Sequence, residues 1–168
     1  MTRRPIDVYL NDHLAGATFG ADLARRLKTQ TEGTDSHSAM SGLAADIEAD
    51  LDTLTDLMKH MGITRNPGKQ VVAWVTEKAS RLKLAGLTSK DTMLGTFLGI
   101  ETLSLGVEGK AALWTTLREL RGDYPELSSS DLDQLVQRAK VQRQTLETER
   151  IAAARRSLTS DGDGDGDR

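Results

Sequence analysis

The chain has 168 residues, a formal net charge of −3 and no cysteine. The absence of cysteine excludes disulfides, thiolate zinc sites, iron–sulfur clusters and cysteine nucleophiles. Acidic and basic residues are interspersed and the balance is slightly acidic, which argues against a dedicated nucleic-acid-binding protein. Few prolines and aromatic residues stand beside many strong helix formers, so the composition favours an all-α protein.

The N-terminal residues contain two arginines and a small-residue run at 15–17, but the apolar run between them covers only Val8, Tyr9 and Leu10. A signal peptide has a longer apolar region. No stretch approaches the length of apolar sequence that a membrane-spanning helix needs. We therefore expect a soluble cytoplasmic protein that has neither a membrane nor a nucleic acid as its partner.

Helix one is predicted to begin near Pro5, because proline is tolerated in the first turn of a helix. Its inward stripe contains His13 and several small residues, which would allow a neighbouring helix to approach closely. Helix two, predicted for Ser38–Met61, has the strongest three-four periodicity of the chain. Gly62 and Ile63 then predict a left-handed C-cap with its hydrophobic contact.

Helix three is predicted for Pro67–Ala85 and is clearly shorter than its neighbours. Helix four is predicted for Lys90–Arg121, and at 1.5 Å per residue its length would be roughly 45–50 Å. Two apolar rows run along helix four, and Glu101 and Glu108 interrupt one of them. The pattern therefore predicts two carboxylates on the apolar side of this helix.

Helix four also contains Gly106 and Gly109, which we interpret as positions of close helix packing. Helix five is predicted to start near residues 129–130. Residues 1–158 should form a single helical-bundle domain, because the length fits one domain. The remaining residues, 159–168, are predicted to be a disordered acidic tail of aspartate and glycine.

The order of these helices predicts a particular chain path. Short connections make neighbouring helices antiparallel, so helices one and two form one hairpin and helices four and five form another. The segment Ile63–Ser89 would carry the chain back along the bundle, which makes helices two and four parallel. This is the one-crossover plan of ferritin-like folds. We therefore predict an all-α, ferritin-like four-helix bundle with a short crossover helix between the second and third long helices.

The predicted crossover, the YLNDHLAG segment and the LGIETLSLGVEGKAALWTTLREL helix resemble uncharacterised bacterial ferritin-like four-helix-bundle proteins. The resemblance covers residues 5–157 and implies the fold, while that group has no settled activity. Di-iron members of the ferritin-like class carry a Glu-x-x-His motif on each of two helices. This chain contains no Glu-x-x-His sequence, so iron oxidation and storage are not expected.

The best polar constellation consists of His13, Glu101 and Glu108, with Asp12, Asn11, Arg138 or Gln142 as further partners. A carboxylate on an apolar face must be paired or protonated, because an isolated buried charge is costly. The favoured interpretation is a buried hydrogen-bond and ion-pair network that fixes the register of the helices. One alternative is a carboxylate–imidazole site for iron, manganese or zinc, and another is that these side chains face solvent.

We predict a non-catalytic protein that acts through association with a protein partner or as a homo-oligomer, with no cofactor. Long helices with small-residue faces can present stripes for dimerisation. The alternative is a divergent ferritin-like metal-binding protein or oxidoreductase that uses His13, Glu101 and Glu108 with iron or manganese. Asn11 and Asp12 are expected on the flank of helix one.

Overall fold

A computed structural model describes residues 4–66 and 92–159, together with positions 73, 76, 77 and 80 between them. In the two long ranges the chain forms four long helices: α1 (Pro5–Gln30), α2 (His37–His60), α3 (Thr92–Glu119) and α4 (Leu132–Leu158). Helices α3 and α4 correspond to the predicted helices four and five. The described residues contain no β-strand, so the all-α prediction is confirmed. None of the described helices combines the length and apolar character that crossing a membrane requires.

Two predictions concern segments that fall largely outside the described residues. Of the predicted helix Pro67–Ala85, only positions 73, 76, 77 and 80 are described, and each has helical backbone. The predicted acidic tail also lies outside the described residues, except for Thr159. The crossover helix and the tail therefore stay predictions.

The ends of α1 and α2 follow from local chemistry. Pro5 occupies the first turn of α1, where a missing N–H costs no hydrogen bond. After α2, Gly62 adopts φ +66° and donates its N–H to the Lys59 carbonyl at 3.1 Å. Ile63 donates to the Met58 carbonyl at 2.9 Å, and its side chain is buried. These two bonds form a Schellman motif, so the predicted left-handed C-cap is confirmed.

The connection between α3 and α4 consists of two short 3-10 turns, Leu120–Gly122 and Pro125–Ser129. Asp131 then caps α4, because its Oδ1 accepts a hydrogen bond from the Gln134 N–H at 3.0 Å. The helix begins a little later than the predicted residues 129–130. A connection this short makes α3 and α4 antiparallel neighbours.

The apolar core consists of two clusters, one towards each end of the bundle. The first cluster includes Leu10 from the start of α1, Leu57 from the end of α2, Leu117 from the end of α3 and Leu135 from the start of α4. The second includes Leu27, Met40, Ile100 and Ala153 from the opposite ends of the same helices. Helices α1 and α4 therefore run in one direction, and α2 and α3 run in the other.

Helices α1 and α3 approach each other closely at Gly99. A Cβ added at Gly99 would lie 2.9 Å from Leu27 Cδ2. A Cβ added at Gly106 or Gly109 would meet no heavy atom of another described residue within 4 Å. The prediction that Gly106 and Gly109 allow close packing is therefore wrong, and Gly99 has that role. The space beside Gly106 and Gly109 is instead part of a cavity.

Candidate functional site

A buried polar network joins α2, α3 and α4. Its centre is Asp50, which is only 2% exposed. The Asp50 Oδ2 atom lies 2.5 Å from the Lys110 Nζ atom, and the Asp50 Oδ1 atom lies 2.5 Å from the Arg138 Nη2 atom. Gln142 Nε2 donates to Asp50 Oδ2 at 3.1 Å, while Lys110 Nζ donates to Gln142 Oε1 at 2.5 Å. We call these four residues the Asp50 network.

The Asp50 network lies between the two apolar clusters. On α2, Asp50 follows Ile47 of the second cluster and precedes Leu54 of the first. On α4, Gln142 stands between Ala139 of the first cluster and Leu146 of the second. The network therefore forms a polar layer across the middle of the bundle.

Two cations share one carboxylate in this layer. Burial lowers the pKa of the Lys110 ammonium from its ordinary value, and the Asp50 carboxylate opposes that effect. With all three groups ionised, Asp50, Lys110 and Arg138 together carry one net positive charge. The Asp46 carboxylate also acts to raise the pKa of Lys110, so a second negative charge opposes the cations of this layer.

A cavity of about 520 Å³ lies between α1, α2 and α3. Glycines on two facing helices line it, and they leave the space that larger side chains would fill: Gly16, Gly20, Gly106 and Gly109. Leu105 and Gly106 also line the cavity and are exposed, with Leu105 at 70%. The cavity therefore reaches the surface along this edge of α3.

The two ends of the cavity differ in chemistry. Leu23, Ile47 and Leu103, all from the second apolar cluster, line one end. Asp12, His13 and Trp114 line the part beside the first cluster, to which Trp114 belongs. Asp50 and Lys110 line the cavity between these ends. The cavity is therefore apolar at one end, while a few polar side chains stand among apolar residues such as Leu54 and Leu113 in the rest of its lining.

Two hydrogen-bond donors at the polar part have unused capacity. Trp114 is 1% exposed, and its Nε1 has no hydrogen-bond partner in the described structure. An ammonium group has three N–H donors. Lys110 uses two of them within the described ranges, on Asp50 and Gln142. The Trp114 Nε1 is completely buried and does not face the open space of the cavity, whereas Lys110 keeps one N–H that no described residue accepts.

His13 is half-buried beside Tyr9, with ring centroids 4.5 Å apart and planes inclined by 66°. Burial lowers the pKa of His13 from its ordinary value, and the nearby Asp12 opposes this shift. A lowered pKa favours the neutral imidazole at neutral pH. His13 therefore contributes one donor and one acceptor to the polar part of the cavity.

The other two predicted site residues are engaged by arginines of α4. Glu101 is half-buried and lies 3.4 Å from an Arg150 nitrogen. Glu108 is exposed and lies 2.5 Å from Arg143 Nε, so its predicted inward orientation is wrong. In the described part of the chain, no three histidine, aspartate or glutamate side chains are grouped to hold a metal ion. Iron or manganese binding by His13, Glu101 and Glu108 stays a prediction.

Asn11 was expected on the flank of the first helix, and this expectation is wrong because Asn11 is 3% exposed. Its Nδ2 donates to the Asp7 carbonyl at 2.7 Å and to the Thr64 carbonyl at 3.1 Å. Its Oδ1 accepts from the Asn66 N–H at 2.5 Å. Asn11 therefore ties α1 to the segment that follows α2.

The sequence interpretation missed Asp50 and Lys110. Arg138 and Gln142 were two of the four possible partners of the predicted cluster, and the carboxylate that they contact is Asp50 and not Glu101 or Glu108. The spacing contained a signal, since Asp50 is three residues after Ile47 and four before Leu54. A charged residue at such a position on an amphipathic helix lies on its apolar face.

No family model, curated protein or solved structure matches this chain. The class of the protein is therefore given by its own architecture, an all-α bundle of four long described helices with a polar layer and a side cavity. Any function assigned to it has to follow from the chemistry of that layer and that cavity.

Proposed function

We propose that this protein is a non-catalytic binding protein that takes up a small apolar molecule in the cavity between α1, α2 and α3. The cavity carries this proposal, because its volume of about 520 Å³ lies within the range typical of small-molecule sites. Ligand pockets are mostly apolar with a few placed polar groups. The lining of this cavity has that composition.

The state of the charged lining residues supports binding in preference to catalysis. Asp50 and Lys110 are engaged with each other and with Gln142, so they are positioned to stabilise the fold. A general acid or base has to reach a proton on the substrate and to change its own ionisation during the reaction. A carboxylate that two cations hold is poorly suited to accept that proton.

The test is a fluorescence titration with the neutral apolar dye N-phenyl-1-naphthylamine. We expect saturable binding at one site per chain. Gly109→Leu fills the cavity from α3 and should weaken dye binding by about tenfold or more, because the space is taken. Gly42→Leu is the matched control, since Gly42 is an exposed glycine of α2 outside the lining, and it should leave binding unchanged.

Two outcomes would contradict the proposal. One is the absence of saturable dye binding to the folded wild-type protein. The other is equal binding by the Gly109→Leu and Gly42→Leu variants when circular dichroism shows both to be helical.

Association with another protein is the second candidate function, with a second copy of this chain as the partner. Large apolar side chains on the surface support it, among them Leu105 at 70% and Val141 at 59% exposure. Side chains of this kind are buried when proteins associate.

We further propose that the chain path is the one-crossover plan of ferritin-like folds, and the parallel directions of α2 and α3 support this.

A further inference from the structure

We propose that the ligand is an apolar molecule with one protonated amino group, which the Asp12 carboxylate binds while the apolar part of the ligand lies towards Leu103. This inference rests on the proposed binding function and specifies the chemistry of the ligand. Three properties of the cavity lining carry it: an unpaired carboxylate, a neutral imidazole beside that carboxylate, and an apolar opposite end.

Asp12 is the charged lining residue that the described structure leaves without a partner. The lining contains three side chains that are charged at neutral pH, Asp12, Asp50 and Lys110. Asp50 and Lys110 are bound to each other. No described residue forms a hydrogen bond or an ion pair with the half-buried Asp12 carboxylate. A group that brings a positive charge and N–H donors would supply what this carboxylate lacks.

The charges of the neighbouring polar layer do not neutralise Asp12. Asp50 and Asp46 both act on Lys110, so two carboxylates match the two cations Lys110 and Arg138. Lys110 donates to Asp50, and no ion pair joins it to Asp12 in the described ranges. The Asp12 charge is therefore the excess charge of the lining, and it attracts an ammonium group and repels an anion.

His13 keeps the surroundings of Asp12 free of a competing cation. Burial lowers the pKa of His13, so its imidazole is neutral at neutral pH and does not repel a positive charge. A neutral imidazole has one nitrogen that accepts a hydrogen bond. The ring of His13 packs against Tyr9, and no described residue donates to that nitrogen. His13 therefore offers a second acceptor beside the carboxylate.

The opposite end of the cavity determines the rest of the ligand. Leu23, Ile47 and Leu103 line it, and they offer no polar partner. Asp12 and Leu23 are separated by three turns of α1, which corresponds to about 16 Å along the helix. The glycines at positions 16 and 20 lie between them and leave this path open. The ligand is apolar over this distance, because burying a polar group there without a hydrogen bond is costly.

The experiment compares three molecules with the same ten-carbon chain as competitors of N-phenyl-1-naphthylamine: decylamine, decan-1-ol and decanoate. At neutral pH we expect decylamine to displace the dye at concentrations about fivefold lower than decan-1-ol, because its ammonium group pairs with a half-buried carboxylate. Decanoate should be the weakest competitor, because the Asp12 carboxylate repels it.

Variants of Asp12 assign this preference to one side chain. Asp12→Asn keeps the shape of the side chain and removes its charge, so the advantage of decylamine over decan-1-ol should fall below about twofold. Asp12→Lys should reverse the order, so that decanoate displaces the dye better than decylamine. The matched controls are Asp22→Asn and Asp22→Lys, because Asp22 is exposed on the same helix and outside the cavity lining. Both controls should keep the advantage of decylamine.

The results separate this inference from the proposed function. If the dye binds but decylamine displaces it no better than decan-1-ol, the amine assignment is wrong and the binding function stands. An advantage of decylamine that survives in Asp12→Asn, or that Asp22→Asn removes to the same extent, also overturns the assignment. If the dye does not bind to the folded wild-type protein, the proposed function itself fails.

Discussion

Asp50 is the residue on which the middle of this bundle depends. Its carboxylate is almost fully buried, and it is stable there because Lys110, Arg138 and Gln142 contact its two oxygens. Removing one partner of a buried ion pair leaves the other charge without compensation, which is the costly case. The loss of Asp50 would leave two cations in that state.

The expected result of Asp50→Ala is a fall of about 3 kcal/mol or more in the free energy of unfolding. The matched control is Asp52→Ala, an exposed aspartate of the same helix, which should change the free energy by less than about 0.5 kcal/mol. Urea unfolding followed by circular dichroism measures both values. Similar effects of the two substitutions would mean that the Asp50 network does not stabilise the fold.

At the scale of single residues the sequence predicts a buried polar network, and Arg138 and Gln142 are two of the four possible partners that it offers. It does not identify the carboxylate, because a helical pattern gives the face of a residue and not its partner on another helix. Glu108 shows the same limit, since it lies near the apolar row in the pattern but pairs with Arg143 at the surface. The helical pattern also does not predict the burial of Asn11, because its partners Thr64 and Asn66 belong to a segment more than fifty positions away.

At the scale of helices, the space beside α3 differs along its length, and the surroundings of its glycines show that difference. Gly99 has Leu27 directly against it, whereas Gly109 faces the cavity. Leu27 is fully buried, so it has little room to move away from an added methyl group.

Alanine substitutions should therefore have opposite effects at these two glycines. Gly99→Ala should lower the free energy of unfolding by about 1 kcal/mol, because overpacking of roughly 1–3 kcal/mol exceeds the gain in helix propensity. Gly109→Ala should raise it by up to about 1 kcal/mol, because only the propensity gain applies. Thermal and urea unfolding of both variants measures these changes. A stabilised Gly99→Ala variant would show that α1 and α3 are not in tight contact there.

The helices themselves follow well from the sequence. Pro5 at the start of α1 and Gly62 after α2 have strong local preferences, so those ends were predicted to within a residue or two. Asp131 was expected inside α4 and is its cap, because aspartate suits either position at the start of a helix. Local signals of this kind need no knowledge of the tertiary structure.

For the whole molecule, the second candidate function predicts self-association. We expect a dimer in size-exclusion chromatography with light scattering, at the highest workable concentration, because exposed Leu105 and Val141 would become buried. Leu105→Ser should shift the equilibrium towards the monomer. The control is Val8→Ser, which changes an exposed apolar residue at the start of α1. A monomeric wild-type protein under these conditions would exclude self-association.

The cavity is the feature of the whole molecule that the sequence could not predict. It lies beside Gly106 and Gly109, where no side chain fills the space, and the same glycines would equally suit close packing. The choice between those outcomes depends on how the side chains of the neighbouring helices pack around these glycines. Such a balance depends on all the helices together and leaves no local pattern.

The Asp50 network also has a consequence for the rate at which the native state is lost. Asp50 is 60 positions from Lys110 and 92 from Gln142 along the chain. The hairpins α1–α2 and α3–α4 need only short loops, whereas this network needs the two hairpins to meet first, at a larger entropic cost. Contacts that form after the folding transition state mainly slow unfolding. The polar layer would then lower the unfolding rate of the assembled bundle and leave its folding rate largely unchanged.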